Sequence, residues 1–132
     1  MGRITGTGNL DNDTAEDWIM DFLDEPSEIK ILSAFRLISD RSGTLEIQDC
    51  QEALAAAEIL ALINNKPNPD FDKQEIDLIV NSGLKLPDTI FKVASDSIKK
   101  IQLQSELREL WDEQELTTEW HDVIHDLQAR LL

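Results

Sequence analysis

Residues 53–63 have the sequence ALAAAEILALI, in which every position except Glu58 is apolar. This stretch lies inside a longer segment, Glu46 to Asn65, whose composition predicts a helix. A helix that is apolar on nearly every side is normally surrounded by other elements, because each of its faces must be kept from water. The sequence therefore predicts that this alanine-rich helix lies at the centre of the fold.

Shorter helices are predicted on both sides of the central segment, from apolar residues at helical spacing and from start and stop signals. Before the central segment, helices are predicted from Asp13 to Pro26 and from Ser27 to Ser42-Gly43. After it, a helix is predicted from Asp72 to Asn81, closed by Ser82-Gly83, and another through Ile101 with Pro87 in its first turn. The last two predicted helices run from Ser105 through Trp111 and from Thr117 to the C-terminus. The N-cap of the first helix is Asp11, Asn12 or Asp13, and Asp13 and Glu16 have the spacing of a capping box.

No segment shows the alternation of a strand, so the predicted fold class is all-α. We expect residues 1–132 to form a single domain of six or seven short helices around the central one. Glycine, proline and asparagine predict loops at residues 1–12 and 64–71. In the first loop, Gly6 and Gly8 are expected to adopt positive φ or to allow close packing against the helices.

The charge balance restricts the classes of partner. The chain has 27 acidic and 12 basic residues, for a formal net charge of -15, and its longest basic run is Lys99-Lys100. Phosphate backbones and anionic membranes are bound through clustered Lys and Arg. The composition therefore predicts no binding to nucleic acid or membranes, and a basic protein is the partner that it would attract.

Features that report on compartment point to the cytoplasm. Cys50 is the only cysteine, so no internal disulfide is predicted. The first residues contain no apolar signal-peptide core, and no apolar stretch is long enough to span a bilayer.

Four stretches, in order, carry a family resemblance. They are Gly6 to Trp18 (GTGNLDNDTAEDW), Ala53 to Glu58 (ALAAAE), Ser105 to Trp111 (SELRELW), and Trp120 through Leu131. Together they resemble a bacterial family catalogued as domain of unknown function 4259. The residues that carry the signature are Gly6, Gly8, Asp11, Asn12, Asp13, Trp18, Glu58, Trp111 and Trp120. The resemblance implies a stand-alone, cytosolic helical protein from bacteria, and it implies no activity.

Four carboxylates, Asp11, Asp13, Glu16 and Asp17, follow the glycine-rich loop. Hard cations bind several carboxylate oxygens, which makes Asp11, Asp13 and Asp17 candidate metal ligands. Their spacing does not match the calcium-binding helix-loop-helix pattern. Helix capping and compensation of the helix dipole also explain them, with the Asp17 side chain expected to bond inward.

Glu58 is expected to be a buried structural carboxylate. On a helical wheel it lies close to Leu54, Ala57 and Ala61, so it points towards the core. A buried carboxylate must accept hydrogen bonds or pair with a cation. The expected partners are a Trp indole, the amides of the Gly6 to Asp13 loop, Arg36 or Arg108. Without a partner, Glu58 would be a candidate general base or metal ligand with a raised pKa.

The remaining reactive side chains are interpreted as structural, and no catalytic residue or cofactor is predicted. His121 and His125 are four residues apart, but no third metal ligand follows them. Trp18, Trp111 and Trp120 lie on apolar helical stripes and are expected in the core. Cys50 is interpreted as a small buried side chain. The chain contains no nucleophile-elbow, Walker or dinucleotide motif.

Three functional hypotheses follow from the sequence. The first is a small acidic, non-catalytic interaction protein, such as an inhibitor or immunity-type partner of a basic bacterial protein. The second is a metal-binding or hydrolytic domain that uses the Asp11 to Asp17 carboxylates with Glu58. The third is an acidic protein that mimics the charge of nucleic acid.

Overall fold

Over residues 3–132, which the computed structural model describes, the chain folds into seven α-helices and contains no strand beyond one isolated antiparallel bridge between Ile4 and Asn12. The helices are α1 (Asp13–Asp24), α2 (Glu28–Ser39), α3 (Ile47–Ile63), α4 (Lys73–Asn81), α5 (Thr89–Leu103), α6 (Glu106–Glu113) and α7 (Thr117–Arg130). The all-α class predicted from the sequence is therefore confirmed.

Helix α3 is the centre of the arrangement. All six other helices contact it, and within α3 every residue from Ala53 to Leu62 is buried. Its alanines allow the neighbouring helices to approach closely from several directions. The predicted position of the alanine-rich helix is thus confirmed.

The ends of the helices are explained by local chemistry. Asn12 caps α1 by accepting a hydrogen bond from the amide of Ala15, so the predicted Asp13–Glu16 capping box is wrong. A complete capping box forms instead at Asp72 and Glu75, at the start of α4. Each of these caps satisfies backbone amides that the first turn of a helix leaves without a partner.

Two predicted boundaries need correction. Helix α2 ends at Ser39, before the predicted Ser42-Gly43, and Lys100 on α5 donates to the carbonyls of Ile38 and Arg41 at this end of the helix. Pro87 precedes α5, which begins at Thr89. Gly83 does close α4, with a φ of 68° in the left-handed region that glycine favours.

Helix α3 ends in a Schellman motif that leads into residues 64–71, here called the proline loop. The amides of Asn65 and Lys66 donate to the carbonyls of Leu62 and Ala61, and Asn65 has a φ of 65°. This turn reverses the direction of the chain, and Asn68 in the proline loop reaches the side chain of Glu58 on α3.

Residues 3–12, here called the N-terminal arm, fold back on themselves. The Thr5 amide donates to the carbonyl of Asp11, and the Asp13 amide donates to the carbonyl of Arg3. The arm places Asn9, which is 3% exposed, against the core. The arm and the proline loop therefore both converge on α3.

Candidate functional site

Glu58 lies at the point where α3, α7, the N-terminal arm and the proline loop meet. Its side chain is fully buried, as its position on the helical wheel predicts. A charged carboxylate in this environment is stable only when each oxygen accepts hydrogen bonds.

Three side chains supply those hydrogen bonds. Arg130 at the end of α7 donates from Nη1 to Oε1 at 2.8 Å and from Nη2 to Oε2 at 3.0 Å. The Nδ2 atom of Asn9 donates to Oε2 at 2.8 Å, and that of Asn68 donates to the same oxygen at 3.2 Å. Arg130 also donates to the carbonyl of Lys66 and pairs with Asp126. The four segments are thereby tied together by one carboxylate.

The expected partners of Glu58 were partly wrong. The loop does supply a donor, through the side chain of Asn9. Arg36, by contrast, is exposed on α2, and Arg108 donates to the carbonyls of Gln102 and Leu103. Among the hydrogen bonds of residues 3–132, none joins a Trp indole to Glu58. Arg130, the actual cation, belongs to the last of the four stretches that carry the family resemblance.

The pairing makes Glu58 a structural residue. Burial disfavours the charge on the guanidinium, but hydrogen bonds and charge attraction from Glu58 and Asp126 outweigh it and raise the pKa of Arg130. The guanidinium of Arg130 is therefore held in its charged form. Because Glu58 accepts four hydrogen bonds, it has little capacity left to act as a general base.

The four acidic residues after the glycine loop do not act together. Asp11 accepts from the Gly8 amide at 3.1 Å, and Asp13 accepts from the Arg3 amide at 3.0 Å. Asp17 is exposed, so its expected inward position is wrong. It lies about 200° around the helix from the buried Ala15. In the described part of the chain, no group of three or more His, Cys, Asp or Glu is placed to hold a metal ion.

Gly6 and Gly8 allow a close approach of the N-terminal arm to the side chain of Asp11. The expected positive φ is not the reason for glycine at these positions, because neither residue has one. A Cβ atom built on Gly6 would lie 2.9 Å from Oδ2 of Asp11, and one built on Gly8 would collide with the same atom. These glycines therefore let the carboxylate of Asp11 fold over the arm and close it.

Replacing Gly8 by Ala is expected to destabilise the protein by about 1–2 kcal/mol, because Asp11 must rotate away and lose its charge-assisted hydrogen bond to the Gly8 amide. Thermal unfolding of the variant measures this. Gly43→Ala is the matched control, since nothing lies within 4 Å of the Cβ position at Gly43. In an Asp11→Ala background the same change at Gly8 should cost much less, and an unchanged cost would show that Asp11 is not the obstacle.

The other reactive side chains lie in structural positions. Trp111 and Trp120 are 6% and 1% exposed, whereas Trp18 is only partly buried and stacks on Phe22 with a centroid distance of 5.4 Å. Burial raises the pKa of Cys50 to about 12, so this thiol is protonated at neutral pH. His121 and His125 both contact the side-chain amide of Gln102 near the surface.

The exposed side of α1 and the start of α2 carry a concentration of negative charge. Residues 11–28 contain eight Asp or Glu and no Lys or Arg. Six of these carboxylates are exposed, and they are here called the acidic face: Glu16, Asp17, Asp21, Asp24, Glu25 and Glu28. Among the described residues, Asp21 is the only member that forms an ion pair, with Lys30 at 3.6 Å.

Comparison with known proteins identifies a family and nothing more specific. The family model described as Domain of unknown function (DUF4259) matches residues 4–123, which is most of the chain. No curated protein and no solved structure matches the sequence. Among the described residues, no helix combines the length and apolarity required to cross a membrane.

Proposed function

The chain belongs to the DUF4259 family, and we propose that it is a non-catalytic binding protein that docks its acidic face on a basic protein. In this proposal it acts in the bacterial cytoplasm as an inhibitor or immunity-type partner. The observation that carries the proposal is the acidic face itself, which gathers six exposed carboxylates from α1, its C-terminal end and the start of α2. Among the described residues, only the Asp21 carboxylate of this face is paired with a cation.

The arrangement of carboxylates on the acidic face favours the binding of a basic partner. Like charges on neighbouring turns of a helix repel each other and oppose folding, so a row of carboxylates in which only Asp21 has a cation partner has an energetic cost to the free protein. A basic surface brought against that row would remove the repulsion. The same field would steer the partner during diffusional encounter and raise the association rate.

The interior supports a binding role over a catalytic one. The buried carboxylate of Glu58 is occupied by Arg130, Asn9 and Asn68. The thiol of Cys50 is buried and protonated. Both groups therefore contribute to the stability of the fold, and the exposed acidic face is what remains for recognition.

The test is capture of a partner from a bacterial lysate by the immobilised full chain, followed by identification and measurement of isoelectric point. We expect a basic protein that is retained at low salt and released above about 0.5 M salt, where charge interactions between exposed groups are strongly screened. Capture of acidic or neutral proteins only, or capture that does not respond to salt, would contradict the proposal.

A charge-matched pair of variants locates the binding surface. The first removes three charges from the acidic face, with Asp17→Asn, Asp24→Asn and Glu25→Gln. The control removes three exposed charges elsewhere, with Glu113→Gln, Glu115→Gln and Asp122→Asn. We expect the first variant to lose affinity for the captured protein by about tenfold or more and the control to change little. Equal losses would mean that net charge alone is responsible.

A further inference from the structure

A surface groove of about 540 Å³ lies between α1 and the start of α4, and Glu16 is the one residue that it shares with the acidic face. Four apolar side chains line it: Leu10 from the N-terminal arm, Ile19 and Met20 from α1, and Phe71 from the proline loop. Ile19 and Phe71 are 4% and 6% exposed and form the floor, whereas Met20 is 66% exposed at its edge. The groove therefore offers apolar surface to a ligand.

Met20 is the most exposed of the four apolar residues that line the groove. A large apolar side chain that is two-thirds exposed gains little from its own fold, but it could cover an apolar ligand. Methionine is also unbranched and flexible, so it adapts to ligands of different shape. It can therefore act as one wall of the groove.

Four carboxylates surround the apolar floor. They belong to Asp11, Glu16, Asp70 and Glu75, which come from four different segments of the chain. In the part of the chain that the structure describes, none of the four forms an ion pair. Asp11 and Glu75 accept hydrogen bonds from backbone amides, which leaves their negative charge uncompensated by a cation.

The apolar floor of the groove and the four carboxylates around it together define the chemistry of a ligand. Its central part must be apolar to cover the floor, and its flanks must be cationic, because a ligand that excludes water from these carboxylates has to replace their hydration. An anionic ligand would be repelled by all four groups. A purely apolar ligand would leave the carboxylates at the rim without compensation.

We propose that this groove binds a short basic amphipathic helix, with an apolar stripe on the floor and Lys or Arg beside the rim carboxylates. The inference rests on the proposed function and names the part of the basic partner that is recognised. A helix is the expected form because the seven helices of the described chain present no sheet edge to which an extended peptide could be added. Apolar residues at positions i and i+4 on such a helix lie on one face, as the groove requires.

The probe for this proposal is a labelled, helix-stapled peptide of Leu, Ala and Lys, about 15 residues or four turns long, with its Leu residues on one face. Fluorescence anisotropy with the full chain at about 0.15 M salt measures binding under conditions in which weak surface charge effects are screened. Two control peptides accompany it: one has the same composition in an order that disperses the Leu residues, and one has Glu in place of Lys. We expect the first peptide to bind and both controls to bind at least about tenfold more weakly.

Matched variants distinguish the groove from the acidic face. Met20→Ser removes an exposed apolar wall of the groove, and Ile29→Ser removes a similarly exposed apolar side chain elsewhere, at 74% exposure. Glu16→Gln with Asp70→Asn removes two rim charges, and Asp17→Asn with Asp24→Asn removes two charges from the acidic face outside the groove. We expect about tenfold weaker peptide binding for each groove variant and little change for each control, with circular dichroism showing that all four remain helical.

Each other outcome overturns the groove proposal. Absence of binding to the unaltered chain, equal binding of the dispersed peptide, or equal losses in groove and control variants would show that the groove is not a helix-binding site. The lysate experiment is independent of these results. If a basic protein is captured through the acidic face while the peptide fails, the proposed function stands and the groove inference fails.

Discussion

Replacing Glu58 by Ala is expected to lower the free energy of unfolding by about 3–5 kcal/mol, the usual consequence of removing one partner of a buried ion pair. The change leaves the guanidinium of Arg130, whose side chain is only 15% exposed, without its main counter-charge. It also leaves the amide groups of Asn9 and Asn68 without their acceptor, and the N-terminal arm and proline loop lose their common attachment. Urea-induced unfolding followed by circular dichroism measures the loss.

Two further variants make this result specific. Glu113→Ala removes an exposed carboxylate from α6 and should change stability by less than about 0.5 kcal/mol. Glu58→Leu combined with Arg130→Met removes both charges and should be less destabilising than Glu58→Ala, because no buried charge is left alone. If Glu58→Ala unfolds at the same urea concentration as the unaltered protein, the network does not stabilise the fold.

Replacing Trp120 by Ala is expected to destabilise the protein by about 3–5 kcal/mol, the range for removing a large aromatic side chain from a core. Trp120 is 1% exposed and packs where α7 meets Leu54 of α3 and residues 6–9 of the arm, around a cavity of only about 10 Å³. The deletion would enlarge that cavity and remove the surface on which the arm rests. Chemical unfolding provides the measurement.

Trp18→Ala is the comparison for this prediction. Trp18 is also on an apolar stripe, but it is only partly buried, and its ring stacks on Phe22 at the surface of the core. We expect its loss to cost clearly less than the loss of Trp120, since less apolar surface is returned to water. Equal costs for the two variants would mean that burial does not govern the contribution of these tryptophans.

Much of the helical architecture could be predicted from the sequence, and the reason is visible in α3. Its residues from Ala53 to Ile63 leave no polar face except Glu58, so the helix had to be surrounded, and six helices contact it. The residues that cap the helices were less predictable. Asn12, Asp11 and Asp13 have similar local preferences, and the choice of Asn12 depends on how the N-terminal arm folds back.

The candidate site was predicted only in part. The burial of Glu58 follows from helical periodicity. The cations expected to pair with it were Arg36 or Arg108, whereas the cation that pairs with it is Arg130. Asp17 was expected to bond inward, yet the buried stripe of α1 runs through Ala15, Ile19 and Phe22 on the opposite side. The groove beside Met20 had no signal in the sequence, because its walls come from segments about 50 residues apart.

By itself, the sequence determined that the protein is helical, that the alanine-rich segment is enclosed and that one carboxylate is enclosed with it. These properties depend on the periodicity and polarity of neighbouring residues, which are local. The tertiary structure alone decided that the carboxylate pairs with a guanidinium 72 residues away and that acidic and apolar side chains from four segments form one groove. Such contacts depend on the packing of helices against one another, and many residues distant in the sequence are equally suited to make them until that packing is set.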